Sequence, residues 1–372
     1  MRSNRILIML PSDELGGAEQ ILRMIASYHL SIGDEVYIYF GVKRIDDGWS
    51  NLDTNKNAHL FYGKGGNISG LCYSFIFMLK VRSFFFERVY SSNVYYNGIL
   101  GFYKKCGILR AKYLIGREST SIFERYSGAK LLMYKFFYRL GYKNLDLLIC
   151  QTEFMKQQLQ NGIANIARNI NLQVLHNPID LRSIITQPEA QSEQFINRMK
   201  YIVSAGRLIK EKGFDILINA FHKISNKYKD VNLIILGEGK ERDALQKNVY
   251  DLELNARVIL PGRFDNVYPL FKHAKLCVVS SRIEGFPNTL LQMMSQNTNV
   301  ISTLCVQEIS NIKGLPTCYP NDVNGLATLM DENLLDNEEN LNERVKEFAA
   351  YLGKNNIESY MMSISKYLDT ND

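Results

Sequence analysis

Three short stretches of the sequence combine glycine with fixed charge in patterns suited to a phosphorylated ligand. The first, Gly206-Arg207-Leu208-Ile209-Lys210-Glu211-Lys212-Gly213, follows an apolar run and leads into the helix-period run Phe214 to Phe221. Arg207 and Lys212 there would neutralise a diphosphate, both at rest and as charge builds on a leaving group. On spacing alone a solvated basic loop is the alternative. The second, Ser281-Arg282-Ile283-Glu284-Gly285-Phe286-Pro287-Asn288-Thr289, also follows an apolar run and enters Leu290, Leu291, Met293 and Met294. Gly285 frees the backbone, Pro287 suits a first helical turn, and amides exposed in such a turn bind anionic oxygen. Glu284 reads either as a ligand-facing carboxylate or as a helix-capping acid. The third, Leu15-Gly16-Gly17-Ala18-Glu19, lets the backbone approach a phosphate or sugar closely. It lacks the third glycine of the dinucleotide fingerprint, which disfavours a nicotinamide dehydrogenase.

Loops of this kind need strands to carry them. Arg5 to Leu10, Glu35 to Phe40, Tyr113 to Gly116 and Leu147 to Cys150 read as strands in the first half. In the second half the strands are Tyr201 to Ser204, Leu233 to Leu236, Val258 to Leu260, Leu276 to Val279 and Val300 to Ser302. Alternation with helical stretches predicts an α/β fold with parallel sheets, and apolar runs this continuous predict burial on both faces. A length of 372 residues exceeds what one core usually organises, so two Rossmann-like domains with a cleft between them are expected. The pattern breaks at Asn177-Pro178-Ile179-Asp180, before a polar stretch carrying Gln187, Pro188, Glu189, Gln191, Ser192 and Glu193. The predicted domains are therefore 1–180 and 181–372, the last helix being free to pack back on the first.

Composition narrows the function classes. Lys and Arg exceed Asp and Glu by 44 to 38, and the excess belongs to residues 1–180, with 22 basic against 14 acidic side chains. Residues 75–145 hold 13 basic and 3 acidic side chains, interleaved with Phe75, Phe77, Phe84, Phe85, Phe86, Tyr134, Phe136, Phe137, Tyr138 and Tyr142. That mixture suits an anionic membrane surface. Within it, residues 129–142 form an amphipathic pattern that fits membrane docking and core packing equally. No nucleic-acid-reading motif accompanies the charge. The six cysteines are widely spaced and read as reduced core thiols, and His29, His59, His222 and His273 read as structural imidazoles with no metal-ligand spacing. The opening run Ile6 to Leu10 is too short for a signal peptide or a membrane span, which predicts a cytoplasmic protein, peripheral on the inner membrane face.

In order and spacing these motifs resemble the retaining GT-B glycosyltransferases of family 4, over most of the chain. Gly16-Gly17-Ala18-Glu19 resembles the family's N-terminal glycine loop, and His176-Asn177-Pro178-Ile179-Asp180 its entry to the second domain. Gly206-Arg207-Leu208 with Lys212-Gly213 is similar to its phosphate-binding motif. Leu236-Gly237-Glu238-Gly239 and Pro261-Gly262-Arg263 match the next strand ends, and Glu284-Gly285-Phe286-Pro287 its nucleotide-sugar loop. The resemblance implies that Arg207 and Lys212 hold the donor diphosphate and that Glu284 binds the transferred sugar at its 3-hydroxyl. It implies too that the backbone of Phe286, Pro287, Asn288, Thr289 and Leu290 meets the diphosphate, and that Arg263 and Phe264 lie near the base. No metal or other cofactor is implied, since fixed cations and helix amides take that role.

Two positions depart from the family pattern. A second glutamate usually follows the first by eight residues and grips the donor ribose; here that position is Gln292. Glutamine keeps a carbonyl acceptor and loses the charge, and a charge-assisted bond is roughly twice as strong as a neutral one. Where many relatives place a histidine near the reacting sugar, this chain has Ile115-Gly116-Arg117-Glu118-Ser119, and Arg117 or Glu118 is the candidate for that role. The function expected is transfer of a hexose or N-acetylhexosamine from a nucleotide-diphosphate sugar, UDP first among them, to a lipid-linked oligosaccharide in surface polysaccharide assembly. The alternatives are a nucleotide-sugar 2-epimerase of the same architecture and a non-catalytic sugar-nucleotide or lipid-binding protein.

Overall fold

The structure is a computed structural model that describes residues 3–44, 49–181, 195, 198–264, 266–335 and 338–369. The polar stretch from Gln187 to Glu193 lies outside the described residues. The chain divides into two units, Met1–Pro178 with Ile357–Asp372, and Ile179–Asn356.

In the first unit, β1 (Arg5–Ser12), β2 (Glu35–Val42), β3 (Ala58–Tyr62), β4 (Phe86–Ser91), β5 (Ala111–Arg117), β6 (Leu147–Cys150) and β7 (Leu172–Val174) form one sheet. Its order is β3-β2-β1-β4-β5-β6-β7, and all neighbours are parallel. Side chains of β1 alternate between two cores, as the period of a strand requires. Ile6, Ile8 and Leu10 join the helix Gly17–Ser31 on one face, while Leu7 and Met9 join the core of the other. Strand β4 is not evident from the sequence, because Glu87 and Arg88 interrupt its apolar residues. Register nevertheless puts it at the centre, with Ile6 beside Arg88 and Val89 beside Leu114.

The helix Ile357–Asp369 belongs to this unit although it follows the second in sequence. Ile357, Tyr360, Met361, Ile364 and Leu368 form one buried stripe at helical spacing and enter the same core as Ile25. Each large side chain buried in this way contributes roughly 1.5–3 kcal/mol.

In the second unit, β8 (Lys200–Ala205), β9 (Val231–Leu236), β10 (Val258–Gly262), β11 (Leu276–Val279), β12 (Val300–Thr303) and β13 (Thr317–Cys318) form a parallel sheet. The order is β10-β9-β8-β11-β12-β13. Each sheet thus reverses its strand order once, between β1 and β4 and between β8 and β11. In open parallel sheets the crevice beyond the carboxyl ends at such a reversal is where ligands bind.

Cys72 and Cys106 are exposed, so only Cys150, Cys277 and Cys305 are core thiols, with Cys318 half-buried. The aromatic residues of 75–145 are not all on a surface either. Phe77, Phe86, Tyr134, Tyr138 and Tyr142 fill the first unit's core, whereas Phe75, Phe85 and Phe136 are exposed.

Candidate functional site

The loops after β8 and β11 stand side by side at the reversal of the second sheet, tied by a side-chain and a backbone hydrogen bond. Ser280 Oγ donates to the Lys212 carbonyl at 3.0 Å, and the Arg282 amide donates to the Glu211 carbonyl at 2.7 Å. Gly213 permits this approach: its φ is +63°, and a Cβ there would lie 2.1 Å from the Ser280 carbonyl oxygen. It also opens the helix Phe214–Ser225, which is anchored by buried Phe214, Leu217, Ile218 and Phe221. Gly237 plays a similar part after β9, where a Cβ would lie 1.9 Å from the Gly206 oxygen.

This framework brings Lys212 and Glu284 together. The Lys212 ammonium donates to Glu284 Oε1, and both side chains are only 17% exposed. Ser281 Oγ donates to the same oxygen at 2.9 Å. Glu284 Oε2 accepts no hydrogen bond among the described residues, and the ammonium keeps two further N–H groups. The helix Asn288–Met294 starts from Pro287 with no side-chain cap, so Glu284 is not a capping acid. Arg207 and Arg263 are exposed and make no ion pair among the described residues. The corner therefore offers cations for phosphate oxygens and a free carboxylate oxygen for a hydroxyl.

Around this pair, Phe286 and Leu290 are buried anchors, while Gly285, Asn288 and Thr289 are half-buried. Phe264 packs 6.0 Å from the Phe195 ring. Gln292 Nε2 lies 3.4 Å from the Tyr268 hydroxyl, to which it donates.

In the first unit, Gly16 precedes the helix Gly17–Ser31 at the reversal beside β1, and its carbonyl accepts from the Gln20 amide at 3.0 Å. Gly17 is exposed. Arg117 and Glu118, adjacent at the end of β5, are both buried and point into different cores, as successive residues of an extended chain do. The Arg117 guanidinium donates to Tyr360 Oη at 2.8 Å, Asn177 Oδ1 at 2.8 Å and Ser92 Oγ at 3.5 Å. Asn177 lies just before the chain leaves this unit and Tyr360 just after it returns.

The Glu118 carboxylate accepts from Tyr142 Oη at 2.6 Å and Tyr138 Oη at 3.2 Å. Burial pushes its pKa up to about 7, outweighing the tyrosine hydrogen bonds, which pull it down. It lines a small recess with Thr120, Ser121, Phe123, Tyr138 and Gln158. The structure thus does not bring Arg117 and Glu118 to a shared surface. Tyr360, the Tyr142–Glu118 contact and the contacts of Arg282 are not legible in the sequence, because their signal is long-range pairing. Among the histidines, His29 is buried between Asp34 Oδ2 at 2.8 Å and Tyr90 Oη at 3.1 Å, whereas His222 and His273 are exposed.

The fold is of the GT-B type, two Rossmann-like α/β domains. It is similar to the crystal structure of Anabaena HepE in complex with UDP-glucose, with a TM-score of 0.79, 16% identity, and 99% of this chain and 100% of that one covered. Residues 186–350, most of the second unit, match the model of the family described as Glycosyl transferases group 1. Curated relatives include an uncharacterized glycosyltransferase of Methanocaldococcus jannaschii, 33% identical over 48% of this chain and 44% of the relative. Another is the N-acetylgalactosamine-N,N'-diacetylbacillosaminyl-diphospho-undecaprenol 4-alpha-N-acetylgalactosaminyltransferase of Campylobacter jejuni, 30% identical over 46% of this chain and 45% of the relative. The chain thus spans about half the length of the curated relatives it matches.

Proposed function

We propose that the protein is a retaining glycosyltransferase of family 4, taking a hexose or N-acetylhexosamine from a UDP-sugar and passing it to a lipid-linked oligosaccharide in surface polysaccharide assembly. The observation that carries this reading is the Lys212–Glu284 pair at the β8/β11 reversal, with Arg207 exposed on the same loop after β8. Lys212 and Arg207 hold the diphosphate and stabilise it as it leaves, which is electrostatic catalysis by fixed donors. Glu284 Oε2 accepts from a hydroxyl of the transferred sugar and orients its anomeric carbon. The fixed cations do the work of a metal, so chelation with EDTA leaves activity unchanged. Gln292 with Tyr268 takes the ribose through neutral hydrogen bonds.

The lipid-linked acceptor is supported by the C. jejuni relative, whose name specifies a diphospho-undecaprenol acceptor. It is supported too by one face of the first unit. On the helix Gly128–Gly141, Leu132, Met133 and Phe136 are exposed beside Lys130 and Arg139. Phe75, Ile76 and Leu79 are exposed on the helix Asn67–Lys80. Apolar side chains amid basic ones fit an anionic bilayer surface at the cytoplasmic face. No helix among the described residues is long and apolar enough to cross a membrane.

The test is release of UDP from a panel of UDP-sugars, for wild type and Glu284→Ala, with and without lipid extract. Acceptor-dependent release that the substitution abolishes supports the transferase. Donor consumed without acceptor points to an epimerase, and donor bound without turnover to a binding protein.

A further inference from the structure

Arg282 lies two residues before Glu284. We infer that Arg282 is a positioning residue of the donor site, a splint that holds both Lys212 and Glu284 in place; the inference rests on the donor chemistry just proposed. Its guanidinium grips Asp215 as a fork, with Nη1 2.7 Å from Oδ1 and Nη2 2.6 Å from Oδ2. Nη1 also donates to the Lys210 carbonyl at 2.7 Å, and Nε to Asn321 Oδ1 at 2.7 Å. Four of the five N–H groups of an arginine are thereby spent within the protein. A side chain so committed does not reach for ligand; it fixes what surrounds it.

What surrounds it is the donor corner. Lys210 opens the turn that ends at Lys212, and Asp215 lies in the first turn of the helix that follows. Only Ile283 separates Arg282 from Glu284, so the pinned guanidinium sets where that carboxylate begins. Asn321, the acceptor of Nε, holds a φ of +64°. Asparagine is among the residues that adopt this left-handed backbone readily. Burial disfavours the charge on Asp215, but the hydrogen bonds and charge of Arg282 prevail and hold its carboxyl below the usual range. A lysine at 282 would keep the charge and lose the planar fork, which is the feature the geometry uses.

The test compares UDP affinity, by calorimetry, with thermal stability in wild type, Arg282→Lys, Arg282→Met and Asp215→Asn. We expect both Arg282 variants to bind UDP about tenfold more weakly, the equivalent of one charge-assisted hydrogen bond. Asp215→Asn, which contacts no donor, should weaken binding several-fold. Wild-type affinity in Arg282→Lys would show that charge alone matters and overturn the inference. So would a lowered melting temperature with unchanged UDP affinity in Arg282→Met. Should Arg282→Met not fold, Arg282→Lys and Asp215→Asn decide by the same criteria. Failure of the wild type itself to bind UDP would instead sink the donor reading, and the inference with it.

Discussion

Replacing Glu118 by glutamine removes a buried carboxyl whose pKa stands at about 7 against an ordinary value of 4.5. Because the native state raises that pKa, the protein retains the proton longer than the unfolded chain does. The group's contribution is complete below pH 4.5 and is lost as pH rises toward 7. The interval corresponds to about 3 kcal/mol of stability. Glutamine carries no titrating proton, so the stability of Glu118→Gln relative to wild type should grow by about that amount between pH 4.5 and pH 8.5. Urea titrations followed by tryptophan fluorescence measure this directly. The single tryptophan, Trp49, is 2% exposed in the first unit and reports on the unfolding of that unit. Parallel stability curves for the two proteins across that range would mean that Glu118 stays ionised in its tyrosine cage and that its burial does not hold the proton.

Three further outcomes are expected. Tyr360→Phe leaves the Arg117 Nε–H buried without its acceptor and should cost about 2 kcal/mol in the same titration; no change would mean the guanidinium finds another partner freely. Gly213→Ala forces a Cβ against the Ser280 carbonyl, and calorimetry should show UDP affinity reduced at least tenfold, a change of about 1.4 kcal/mol; unchanged affinity would remove the loop geometry from the account. Substituting Lys130, Lys135 and Arg139 together by serine should lower sedimentation with anionic vesicles on the order of a hundredfold, and equal sedimentation would rule out docking through that helix.

Much of the second unit was legible because its strands are uninterrupted apolar runs and its loops carry glycines at strand ends. Gly213 and Gly237 are needed for close backbone approach, a local requirement that residue type reveals. Strand β4 was hidden because Glu87 finds Lys112 on the neighbouring strand, at 3.1 Å, and so tolerates a half-polar sequence. Arg117 and Glu118 were legible as unusual residues after a strand, but not as to where they point. That depends on Tyr360, 243 positions away from Arg117, and on Tyr142, 24 positions from Glu118. Arg282 was hidden for the same reason, since its carboxylate lies 67 positions earlier. The aromatic residues of 75–145 misled in part, because alternate faces of one helix serve the core and the surface. Tyr134 and Tyr138 are buried within the same helix that exposes Leu132 and Phe136.

The most direct measurement is a crystal structure of the protein soaked with a non-hydrolysable UDP-sugar. Phosphate oxygens should lie against Lys212 and Arg207, and a sugar hydroxyl within hydrogen-bond distance of Glu284 Oε2. A nucleotide bound elsewhere, with the Lys212–Glu284 pair undisturbed and untouched, would contradict that placement.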